Sequence, residues 1–125
     1  MLHARVGETV EEIRSRHGAG KEVGASQIVF TIDDFDVTIS FEKNRSVMEI
    51  YTPHLGNDSQ VREMKLSDVQ KLLDLQGQGK SWIKSEEDAG GKALWLSADG
   101  KLYARFLAHF NTLTFAPSLK ELPKS

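Results

Sequence analysis

Between Phe35 and Phe41 apolar and polar residues alternate without a break, with Phe35, Val37, Ile39 and Phe41 on one side and Asp36, Thr38 and Ser40 on the other. A period of two is that of a strand with one face on a core and the other wetter. The β-branched and aromatic stretch from Gln27 to Ile32 predicts a strand before it, with Asp33 and Asp34 as the turn. After it, residues 42–45 turn the chain into a third strand from Ser46 to Tyr51, ended by Pro53. The three make an antiparallel meander.

Ahead of the meander the period changes. Val10, Ile13 and His17 stand at i, i+3 and i+7, one narrow helical stripe, while Glu11, Glu12, Arg14 and Arg16 face water. Thr9 and Glu12 have the spacing of a capping box, in which each side chain takes a backbone N–H left unpaired by the helix start, and Gly18 is the stop. A second helix is predicted from Ser67, where Ser67 and Gln70 repeat the capping spacing. Val69, Leu72, Leu73 and Gln76 form its inner face, and Gly77 ends it.

Beyond it, Trp82 and Ile83 read as a short strand and Glu86 to Gly91 as an acidic, glycine-rich loop. Ala93 to Ser97, Leu102 to Leu107 and Thr112 to Ala116 read as strands. Asp99-Gly100 predicts a two-residue type I′ hairpin turn, which needs positive φ at both positions. The order is therefore α-βββ-α-(β)βββ. The fold class is α+β, with two α-βββ units and one or two antiparallel sheets packed against two short helices. The domain is expected to span residues 1–116, with a pseudo-repeat of 7–52 and 66–116 in pattern only, and residues 117–125, with two prolines, are expected to be an exposed tail.

At 125 residues one such domain can bury a core without staples. The net charge of −2 comes from 16 basic and 18 acidic residues interspersed along the chain, so no single-sign field would hold nucleic acid or an anionic membrane surface. With no cysteine, disulfides, thiolate metal sites and cysteine nucleophiles are excluded, while the compartment is left open. The first six residues carry no apolar signal-peptide region and no stretch approaches about 18 apolar residues, so no membrane span is expected; a removed signal peptide would leave no trace.

Candidate chemistry is sparse. Residues 74–81 end like a phosphate-binding Gly-Lys-Ser loop, but Asp74 replaces the first glycine and a helix precedes it where a strand belongs. The histidines, His3, His17, His54 and His109, have no partner at metal-clip spacing. Asp33, Asp34 and Asp36 lack the further oxygen ligands of a calcium loop. No serine stands in a nucleophile elbow. No metal or cofactor is expected. Trp82, Trp95, Tyr103 and Phe106 are chiefly core aromatics in strands. Alternatively Trp82, Trp95 and Tyr103 form a partner-binding set, with Trp95 and Tyr103 paired across the Asp99-Gly100 hairpin.

The spacing Gly7-x-Thr9-x-x-x-Ile13-x-x-x-x-Gly18 resembles the opening helix of the BamE (SmpA/OmlA) family of small bacterial envelope proteins. Helix-then-meander units are also similar to the tandem-repeat fold of β-lactamase inhibitor proteins. Over residues 5–116, with Trp82, Trp95 and the closing Asp99-Gly100, the chain resembles a class of small exported bacterial proteins. The BamE pattern is departed from in lacking a lipid-accepting cysteine and a proline soon after Gly18. The resemblance implies a non-catalytic, protein-contacting scaffold, periplasmic or extracellular, and the strand pattern itself suggests a sheet face or an edge strand offered to a protein partner or to a second copy. The alternative is a small-ligand-binding protein or weak hydrolase with a cleft between sheet and helices.

Overall fold

The computed structural model of the chain describes residues 5–54, 62–77, 81–87, 91–118, 120 and 122. Helix α1 (Val10–His17) precedes strands β1 (Lys21–Gly24), β2 (Gln27–Ile32), β3 (Phe35–Glu42) and β4 (Arg45–Pro53). Helix α2 (Leu66–Gly77) precedes β5 (Trp82–Glu87), β6 (Lys92–Ser97), β7 (Tyr103–Leu107) and β8 (Thr112–Ala116). All eight strands join one antiparallel sheet in the order β1-β2-β3-β4-β8-β7-β6-β5.

The fold is α+β, and the sheet is larger than the sequence pattern predicts: four strands follow each helix, not three. The missing one, β1, is exposed along its whole length and so carries no apolar period. Strand β5 continues through Glu86 and Glu87, which the charge pattern assigned to a loop; as an edge strand it needs no apolar face to be held.

The α1 capping box is present. Thr9 Oγ1 accepts from the Glu12 N–H at 3.1 Å, Glu12 Oε1 accepts from the Thr9 N–H at 2.9 Å, and Gly18 closes the helix at φ +87°. The α2 start differs from expectation. Asp68 Oδ2 accepts from the Lys65 N–H at 2.9 Å and the Val69 N–H donates to the Lys65 carbonyl at 3.0 Å, so Lys65 is the cap and Ser67 lies within the helix. Asp68, three residues on, takes the returning role of a capping-box carboxylate. The type I′ turn is also elsewhere: Lys43 and Asn44, between β3 and β4, have φ of +52° and +67°. At residues 98–102 only Gly100 has positive φ, and its N–H donates to the Ser97 carbonyl in a longer loop.

Alternation and register divide the sheet into two faces. The inner face, from β2 across to β6, carries Phe30, Val37, Tyr51, Leu113, Ala104 and Trp95, packed under Ile13 of α1 and Val69, Leu72 and Leu73 of α2. A series of ring contacts, two edge-on and one tilted, crosses it. Phe35 meets Tyr51 at 6.3 Å, Tyr51 meets Phe115 at 5.7 Å, and Trp82 meets Phe115 at 5.8 Å. Trp82 reaches from β5 to β8 because the intervening Ser97 and Ala104 are small.

Neither α1 nor α2 lies on the outer face. A smaller apolar cluster there joins Leu94, Ala116 and Leu122, with Met48 and Tyr103 against it. Leu122 is only 5% exposed, so the expected exposed tail is tied down at this residue.

Candidate functional site

The three aromatic candidates fall in three environments. Trp95 is buried on the inner face and pairs across the ladder with Ala104, not Tyr103; its exposed edge is covered by the Lys84 ammonium, 5.6 Å from the ring centroid. Trp82 is half-buried on the same face, and its Nε1–H donates to the Leu73 carbonyl at 2.7 Å, tying β5 to the last turns of α2. Tyr103 pairs with Leu96 on the opposite, outer face. The expected Trp95–Tyr103 pair is therefore absent. The loop after Ser97 is longer than a two-residue turn, and the resulting register puts the two rings on opposite sides of the sheet.

The outer face supplies a different row. Ile83 on β5, Leu96 on β6, Tyr103 on β7 and Ala116 on β8 are successive cross-strand neighbours. Ile83 is 59% exposed, on an edge strand with no further strand beside it among the described residues. Next to the row lies an open hollow of about 680 Å³, lined in part by Glu86, Lys92, Leu94 and Arg105. The Arg105 guanidinium approaches Glu86 at 3.8 Å and is largely enclosed, whereas Glu86 stays in solvent, a geometry worth little in stability. The β5 edge has a bulge between Lys84 and Glu86 and ends in two carboxylates, and β1 at the other edge is short and also bulged. Both edges are built to discourage strand addition.

A second concavity, of about 300 Å³, opens where the C-terminus of α2 meets the chain before α1 and the loop after β6. Val6, Trp82, Leu102 and Pro117 give it an apolar wall, and Arg5 and Lys101 bring cations.

The heart of the inner face holds a polar group that the sequence pattern did not single out. Glu49 on β4 is fully buried and accepts a hydrogen bond from the Tyr51 hydroxyl at 3.0 Å. Burial pushes its carboxyl up to about 8; the Tyr51 hydrogen bond and the Arg16 and Arg5 charges oppose that rise, and Glu8 adds to it. Burial, then Glu49, likewise raises the Tyr51 phenol well above its usual range. Nearby, Arg16 grips both Glu8 oxygens, at 2.6 and 2.7 Å. Around the central Ile50–Thr114 pair, the position matching Glu49 on the other half of the sheet is Leu113, and that matching Tyr51 is Phe115. The signal in the sequence was the period of two, which places Glu49 on the same side as Tyr51.

His54 Nδ1 lies 2.8 Å from Asp36 Oδ1 on the surface, and Thr31 Oγ1 also donates to that oxygen at 3.2 Å. Among the described residues no hydroxyl bonds to His54, and no group of three or more His, Asp or Glu side chains is placed to hold a metal ion. His17 ends α1 as its sequence position implies, and burial, then Arg16, lowers its imidazole below the ordinary value. His109 lies in a short 3₁₀ turn before β8. His3, Gly79 and Lys80 of the 74–81 loop and the 88–90 part of the acidic loop lie outside the described residues, while Gly77 ends α2. No described helix is long and apolar enough to cross a membrane. The chain matches no protein-family model, no curated protein and no solved structure.

Proposed function

We propose that this protein is a non-catalytic protein-binding module whose contact surface is the face of its sheet opposite α1 and α2, at the β5–β7 end. The observation that carries the reading is the Ile83–Leu96–Tyr103 row, a continuous apolar strip ending on a strongly exposed isoleucine. Isolated exposed apolar residues are ordinary, whereas a contiguous strip beside charged groups is the usual make-up of a contact patch, with an apolar centre and a polar rim. Lys92, Arg105 and Glu86 form that rim. Of the three aromatics singled out in the sequence, Tyr103 belongs to this surface, whereas Trp82 and Trp95 support it from the inner face. Face docking is favoured over strand addition, because both sheet edges are bulged and β5 is charged.

The chain as a tandem of two helix-plus-strand units is part of the same proposal, supported by a strand order that reads identically when the halves exchange. A bacterial envelope location, periplasmic or extracellular, is supported by the resemblance of the opening helix to the BamE family. A photocrosslinking residue at Ile83 or Leu96, with Thr31 at the far end of the same face as control, tests the surface in cells. Specific adducts at the first two positions and none at Thr31 are expected. Equal labelling at all three, or none at any, overturns the proposal. An adduct of twice the chain mass identifies the partner as a second copy.

A further inference from the structure

We propose that the cavity at the end of α2 binds a small organic carboxylate with a flat apolar body, held between Trp82 and the cations Arg5 and Lys101. This inference is independent of the outer-face surface, since the cavity opens at the end of the sheet and is walled by the inner-face Trp82. Four observations converge on it.

First, its volume of about 300 Å³ is at the small end of ligand pockets, which suits a compact molecule and not a polymer. Second, the wall is mixed in the manner of a ligand site: Val6, Trp82, Leu102 and Pro117 offer apolar contact. Third, Arg5 and Lys101 stand against the single carboxylate of Asp99, which is already engaged by the Ser97 hydroxyl at 2.7 Å and the Lys101 N–H at 3.0 Å. The surplus of charge is positive and calls for an anion. Fourth, Arg5 brings a guanidinium to the cavity wall, and a carboxylate beside a guanidinium forms a charge-assisted bond.

The inner face of α2 agrees with this reading. It is apolar at Val69, Leu72 and Leu73, then changes to the amide of Gln76 in the turn that meets the cavity. Gln76 is 5% exposed, so a polar side chain has been placed inside where the three preceding inward positions are hydrocarbon. Gly77 follows, where an added Cβ would come within 2.8 Å of Trp82 Nε1, so the backbone lies against the indole. Inorganic anions would leave the apolar wall unused, and neutral aromatics would leave the Arg5 and Lys101 charges unanswered. An aryl or indolyl carboxylate uses both. The same group is found in a free acid and in the C-terminal aromatic residue of a peptide.

The test is a titration of the isotope-labelled full chain followed by amide and indole NMR shifts, with phenylacetate, its neutral isostere phenylacetamide, and an acetylated tripeptide ending in phenylalanine. The expected result is saturable shifts at the Trp82 indole N–H, Gly77, Lys101 and Leu102, with the acid binding about tenfold or more tighter than the amide. Tighter binding of the peptide than of phenylacetate assigns the source as a peptide terminus; the reverse assigns a free acid. Lys101→Met, at an exposed loop position, and Arg5→Gln are each expected to weaken the acid severalfold and leave the amide unchanged. Equal binding of acid and amide, shifts that map elsewhere, or no shift up to about 10 mM overturns the proposal.

Discussion

The Tyr51 hydroxyl donates to Glu49 two residues away on the same strand, and both side chains are enclosed beneath the helices. Glu49 therefore folds as the neutral acid. From an ordinary value of 4.5 its carboxyl rises to about 8 on folding, so between these values the folded chain keeps a proton that the unfolded chain releases. Its contribution to stability is complete below pH 4.5 and is lost as pH rises towards 8, with a slope of at most about 1.4 kcal/mol per pH unit. Urea unfolding at pH 5 and pH 8 should show this decline. Glu49→Gln keeps the acceptor without the charge; it should flatten the decline and stabilise the protein at pH 8. An unchanged slope in the variant would assign the pH dependence to other groups.

Trp82 joins β5, β8 and α2 through one side chain. Trp82→Phe deletes the bond to Leu73 together with part of the ring and should cost about 1–3 kcal/mol. Trp82→Ala empties the whole space over Ser97 and Ala104 and should cost about 3–5 kcal/mol. Thermal unfolding should place the alanine variant below the phenylalanine one, and equal losses would contradict a packing role for the remaining ring.

The different helix starts give a paired prediction. Thr9→Ala should cost about 1 kcal/mol, because the Glu12 N–H loses its side-chain acceptor while the bond from the Thr9 N–H to Glu12 remains. Ser67→Ala should change stability by less than about 0.5 kcal/mol, because Ser67 is not the cap. A large loss at Ser67 would return the cap to that residue.

Leu122 is buried against Leu94 and Ala116. Leu122→Ala should lower stability by about 2 kcal/mol in denaturant unfolding, whereas Leu66→Ala, at a 74% exposed position, should be near neutral. Matching effects at the two sites would mean that the tail contributes nothing to the folded state.

The elements with a strong period were legible. The β2, β3 and β8 segments, the α1 box and the α2 inner face lie where the apolar spacing puts them. What was illegible had no apolar period to read: β1 is exposed throughout, and the second half of β5 is charged, both being edge strands held by backbone pairing and surface ion pairs. Turn chemistry misled at Asp99-Gly100, where side-chain bonds from Ser97 to Asp99 and from Leu102 to Ser97 stabilise a longer loop. The tight turn went instead to Lys43-Asn44, where Asn tolerates the left-handed region. Of the candidate surface, Tyr103 was visible as an aromatic in a strand, but its neighbours Ile83 and Leu96 are assigned by register across two hairpins. Glu49 needed the helices in place before its enclosure could be seen.

The strand order has a further consequence for the nascent chain. Strand β8 is the piece that covers β4 and is made well after it, so until β8 emerges the N-terminal half presents a nine-residue strand with one open side. Such a strand is adhesive towards other chains. On a ribosome, the delay between completing β4 and delivering β8 is therefore the interval in which this protein most needs a chaperone, and slower decoding through residues 62–111 should lower its soluble yield.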